Sequence, residues 1–126
     1  MKNLNENMMK NLSFPDFQVE KMEFSPREKI LKVYVEGAWL DADGGTKLGK
    51  GVLFFNGWEA LSIRRYNSET EKWSLIDVEP PVEQLIDLCE FKFIDSTVFL
   101  FGFGKNLGQW MEWEIVNAKM HGEFES

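Results

Sequence analysis

The chain has 126 residues, 44% of them hydrophobic and 14% aromatic, with eleven Phe, five Trp, one Cys and one His. That is enough apolar surface for one core and too little for a second, and it excludes an intrachain disulfide, a zinc cluster and a His-based triad. The formal net charge of -7 is unevenly placed: residues 1–72 carry eleven acidic and eleven basic side chains, whereas residues 73–126 carry ten acids against Lys92, Lys105 and Lys119. Such a field repels phosphate, so nucleic acid and membrane surfaces are disfavoured as partners and a basic protein is favoured.

Residues 1–12 are polar apart from Leu4, Met8, Met9 and Leu12, a spacing that fits a short helix as well as a loose tail. Neither this stretch nor any later one reads as a signal peptide or as the ~20 apolar residues that span a bilayer, and a cytoplasmic location is expected. Residues 13–126 read as a single β domain. Phe17 and Val19 share one phase of a two-residue period and Met22 and Phe24 the other, which predicts a β-bulge near Glu20-Lys21. Leu31, Val33 and Val35 then alternate with Lys32, Tyr34 and Glu36, the pattern of a strand with one wet face, and Trp39 continues the inward phase.

The stretch Asp41-x-Asp43-Gly44-Gly45 begins like a calcium loop. Its fifth and twelfth positions are Gly45 and Val52, where ligands are needed, so a hairpin loop is expected and no metal site. A returning strand follows at 51–55, then a hairpin around Asn67-Ser68-Glu69-Thr70 that places Trp73 inward and leaves Trp58 and Trp110 free. Pro80-Pro81 ends it. Residues 82–88 fit either one helical turn or the start of a strand.

The clearest pattern is a meander of strands at 88–94, 97–103 and 109–117. A two-residue turn at Asp95-Ser96 pairs Phe91 with Leu100 and Phe93 with Val98. A four-residue loop 105–108 places Leu100 opposite Trp113 and Val98 opposite Ile115. One face is then wholly apolar, with Cys89 read as a small core residue. The other face mixes Glu90, Phe99, Phe101, Trp110, Glu112 and Glu114. A loop one residue longer would bury Glu112 and Glu114 unpaired at several kcal/mol each, which selects this register. The expected fold is mainly β, an antiparallel two-layer sandwich or open barrel of about eight strands with at most one or two short helices.

The mixed face is the candidate partner-binding site, because interface cores favour aromatics and acidic rims steer basic partners. The competing expectation puts its Phe residues under a second sheet or the N-terminal helix, with the glutamates at an open edge. Glu112 and Glu114, at i and i+2, stand about 6.5–7 Å apart, a spacing found in glycosidases. Alternating Glu is also ordinary on a wet strand and no further acid forms a subsite, so no catalytic residue and no cofactor are assigned. The alternatives are a carbohydrate or small-ligand module and a subunit that self-associates, the chain being a monomer or a homodimer.

The arrangement Phe14-x-Asp16-x-x-Val19-x-x-Met22-x-Phe24, the strand Leu31-x-Val33-x-Val35, the later Trp-x-Glu strand and the Gly122-x-Phe124 ending are shared features of another kind. In these the chain resembles small bacterial β-sandwich proteins grouped with the immunity proteins of polymorphic toxin systems. Pro15 stands where such proteins often have His. The resemblance implies an acidic cytoplasmic protein that binds and occludes a toxin.

Overall fold

The computed structural model describes residues 1–41 and 45–125, so Asp43 and Gly44 of the calcium-like loop lie outside the described residues. The elements in chain order begin with β1 (Lys2–Leu4), α1 (Glu6–Met9), β2 (Leu12–Ser13), β3 (Val19–Ser25) and β4 (Ile30–Val35). Next come β5 (Ala38–Leu40), β6 (Thr46–Leu48), β7 (Gly51–Asn56), β8 (Ala60–Asn67) and β9 (Lys72–Leu75). The last four strands are β10 (Glu90–Ile94), β11 (Thr97–Phe103), β12 (Trp110–Val116) and β13 (Lys119–Phe124).

Three antiparallel sheets result, ordered β1-β13-β7-β4-β3, β10-β11-β12-β8-β9 and β2-β5-β6. None closes into a barrel, and the arrangement is the sandwich-like, mainly β fold that was expected. The two five-stranded sheets meet through their apolar phases. Leu31, Val33, Leu53 and Phe55 from the first, with Ile63, Leu100, Met111, Trp113 and Ile115 from the second, are almost completely buried. Aromatic rings lock the layers: Phe24 meets Trp113 edge-on at 5.2 Å and Phe55 meets Phe91 at 6.4 Å. The register shift between Val19 and Lys21 is the predicted bulge, and it lets Val19 and Met22 both face this core.

The expected eight strands become thirteen because β1, β2, β5 and β6 have only two or three residues, too short to display a period. Residues 1–12 are therefore not a loose tail. β1 adds to the edge of the first sheet, Leu4 opposite Gly122, and the Asn5 side chain caps α1 by accepting the Met8 N–H at 2.9 Å. Leu4, Met9 and Leu12 are buried under this arrangement.

Trp39 departs from its expected phase. The chain breaks at Gly37, where a Cβ would lie 2.6 Å from the Phe17 ring, and restarts as β5 in the small sheet with Ala38 and Leu40 inward and Trp39 half-buried. Cys89 also departs. It is exposed ahead of β10, and Leu88 takes the core position.

Residues 82–88 are neither helix nor strand but a strap, tied by isolated bridges from Asp87 to Gln18 and from Leu85 to Gly104. Glu83 anchors it. Its carboxylate accepts the Asn106 and Leu107 N–H groups at 2.7 Å each and Arg65 Nη2 at 3.0 Å, with the Glu83 side chain 6% exposed. The inward phase of β8 ends on Arg65, so a charge enters the end of the core and the strap supplies its counter-charge.

Candidate functional site

The register of the second sheet is the one the loops impose. Phe91 pairs with Leu100, Phe93 with Val98, Leu100 with Trp113 and Val98 with Ile115, and the Gly104 N–H donates to the Gln109 carbonyl at 2.8 Å. Glu90, Phe99, Phe101, Trp110, Glu112 and Glu114 accordingly share its outer face. Phe99, Phe101 and Trp110 are half-buried, Glu90 and Glu114 exposed. Neither the first sheet nor α1 covers them, because the first sheet packs on the opposite side and α1 packs on β13. What shields the rings is each other: Phe99 and Phe101 lie 5.7 Å apart, Phe101 and Trp110 6.2 Å, and Phe103 and Trp110 5.3 Å.

Two rings of this face, Tyr66 and Trp73, stand where the sequence did not place them. Asn67 pairs with Lys72, so the hairpin loop is 68–71 and not 67–70. That offset of one residue turns Trp73 and Leu75 outward, where they are 44% and 80% exposed. The signal was present, since Asn at the first position of a turn accepts the N–H two residues on, and the Asn67 side chain accepts from Glu69 at 2.9 Å. Trp73 stands opposite Tyr66, Tyr66 opposite Trp110 and Trp110 opposite Phe103, a row of four rings across four strands. Trp58 moves the other way. It is 5% exposed and stacks on Phe24 at 6.1 Å, which removes it from any surface site.

The charges of the face are largely matched from within. Glu112 receives Arg64 through Nε at 2.8 Å and Nη2 at 2.6 Å, and its second oxygen accepts the Trp110 indole N–H at 2.9 Å. The same guanidinium lies 4.1 Å from the Trp73 ring centroid. Glu90 pairs with Lys92 at 3.5 Å. Glu114 alone among the three glutamates has no ion pair among the described residues.

Glu112 and Glu114 thus differ in chemistry: one carboxylate is fixed by three donors, the other is solvated. Among the described residues no three His, Cys, Asp or Glu side chains form a group able to hold a metal ion. At Cys89, desolvation of the sulfur, then the nearby Asp87 and Glu90 carboxylates, push the thiol up to about 11, so the thiolate is scarce near neutral pH. No helix is long and apolar enough to cross a membrane. No known protein family, curated protein or solved structure matches the chain.

Proposed function

We propose that this chain is a non-enzymatic, cytoplasmic binding protein that captures a basic partner protein on the outer face of its second sheet. An immunity-type inhibitor acting by occlusion is the specific form of that reading. The observation that carries it is the unbroken chain of rings from Phe99 through Phe101 and Trp110 to Phe103, extended across the sheet by Tyr66 and Trp73. Contiguous aromatic area of this kind supplies the desolvated centre of a protein interface. The net charge of -7 steers the encounter, and Glu114 is the carboxylate free to meet a partner cation at the face.

A glycan platform would use the same rings, and the outward turn of Trp73 favours it. Two contacts argue for protein over sugar: Arg64 already covers one face of Trp73, and Phe103 stands edge-on against Trp110. Stacking on a pyranose requires an open ring face.

Immobilised protein tests the proposal by difference. A prey held by the wild type and by Lys32→Glu, a change on the outer face of the first sheet, should be lost with Phe101→Ala and weakened severalfold with Glu114→Lys. Capture that survives both changes on the second sheet would sink the reading. A glycan panel read by Trp fluorescence decides the alternative.

A further inference from the structure

At one end of the sandwich, away from the strap, a cavity of about 400 Å³ opens between α1, the turn 95–96 and the turn 117–118. Its volume lies in the range of small-molecule sites, ~300–1,000 Å³. The floor is apolar, formed by Val98, which is buried, and by Phe93, Ala118 and Met120, which are half-buried. The mouth is charged: Glu6 and Lys10 from α1 and its C-cap, and Asp95 from the hairpin turn, stand around it. Among the described residues no hydrogen bond or ion pair engages these three side chains.

Two turns of the mouth are fixed at the backbone. Asp95, Ser96 and Asn117 all hold positive φ, at 48°, 65° and 56°, a conformation that residues other than glycine adopt at a cost. The two turns are joined, with the Asn117 N–H donating to the Ser96 carbonyl at 2.9 Å and the Asn117 side-chain amide held by Glu59. The backbone that carries Asp95 is therefore set before a ligand arrives, whereas the Glu6, Lys10 and Asp95 side chains become ordered when it binds.

We propose that this cavity binds a small zwitterion with an apolar side chain, the chemistry of a free apolar α-amino acid. The ammonium of such a ligand meets Glu6 and Asp95, its carboxylate meets Lys10, and its side chain enters between the sheets against Phe93, Val98 and Met120. A simple amine leaves Lys10 unmatched and a simple acid leaves two carboxylates unmatched. The site is independent of the outer face of the second sheet.

Titration of the wild-type protein with L-phenylalanine, followed by amide NMR spectra, should shift the signals of Phe93, Val98, Ala118 and Met120 to saturation. Phenethylamine and 3-phenylpropanoate, each lacking one charge, should bind at least roughly tenfold more weakly. Lys10→Gln should lower L-phenylalanine affinity to the level of phenethylamine without weakening phenethylamine itself. Met120→Trp, which fills the floor, should abolish saturation while the spectrum stays dispersed. Should that variant unfold, the Lys10→Gln comparison decides alone. Absence of saturable shifts at these four positions, or an amine or acid that binds as well as the amino acid, overturns the proposal.

Discussion

The outer faces of the two large sheets are both rich in rings and charges, yet they differ in whether the rings touch. On the first sheet each ring is capped by a polar neighbour: Lys21 lies 4.5 Å from the Tyr34 centroid, Lys32 5.8 Å from that of Phe54, and His121 stacks on Phe54 at 4.3 Å. On the second sheet cations also lie over rings, Arg64 4.1 Å from the Trp73 centroid and Lys92 5.8 Å from that of Phe101, but here the rings touch one another as well. Similar residue types therefore give a dispersed surface on one side and a contiguous apolar strip on the other. Contiguity is what an interface requires and what composition does not report.

The strap ties one end of the second sheet through Arg65, Gly104 and the 105–108 loop, and the largest expected effect comes from breaking that tie. Glu83→Ala leaves the largely buried Arg65 charged without its partner and two N–H groups of the exposed 105–108 loop without their acceptor. A loss of about 3–5 kcal/mol in urea unfolding is expected, the range for one half of a buried pair. A loss below about 1 kcal/mol would show that solvent reaches the site and that the strap does not frame the sheet.

Next in size is a matched pair, one ring from each face. Trp110→Ala and Phe54→Ala both remove a half-buried ring and should each cost about 1–2 kcal/mol, below the cost of a fully buried aromatic. Their binding should differ sharply: Trp110→Ala abolishes partner capture and Phe54→Ala preserves it. Equal capture by both would erase the distinction between the faces. A smaller contrast lies within the second face. Glu112→Ala unties Arg64 and the Trp110 indole and should cost about 1 kcal/mol after allowance for the solvent-exposed guanidinium, whereas Glu114→Ala should stay within about 0.5 kcal/mol. Thermal melts at one pH separate these outcomes.

What was legible in the sequence follows from where local chemistry fixes register. Asp95-Ser96 and the loop 105–108 have lengths that set strand parity, and burying Glu112 and Glu114 was too costly to allow the other choice. The bulge near Glu20 was legible for the same reason, because two apolar pairs in opposite phases must face one core. Trp73 was misplaced by a single residue of loop length, and Trp39 by a break at Gly37 that no period announces. Cys89 was misplaced because the strand expected from residue 88 starts two residues later, at Glu90. The strap was not legible at all. Its order depends on Glu83 meeting Arg65 and the 105–108 loop, contacts between segments that only the folded chain brings together.

The smallest effect tests whether the polar groups of the first face are committed to each other. The Tyr34 hydroxyl donates to Glu23, and that bond, aided by Lys21 and Lys32 against some desolvation, holds Glu23 below its ordinary value of 4.5. The same bond, with desolvation and the Glu23 charge, raises Tyr34 above its ordinary 10.0. A depressed carboxylate contributes stability that is present above its ordinary value and lost as pH falls through the folded one. A raised phenol contributes stability that is present below its ordinary value and lost as pH rises through the folded one. The gap in urea midpoint between wild type and Tyr34→Phe should therefore be flat from about pH 5 to pH 9 and narrow at both ends. In Tyr34→Phe the Glu23 carboxyl, followed by NMR titration, should move back up toward its ordinary value. A gap that ignores pH, or a Glu23 titration unchanged by the substitution, would mean the pair is not formed in solution. Glu23 would then join Glu123 as a carboxylate without an ion pair, among the described residues, on the first face.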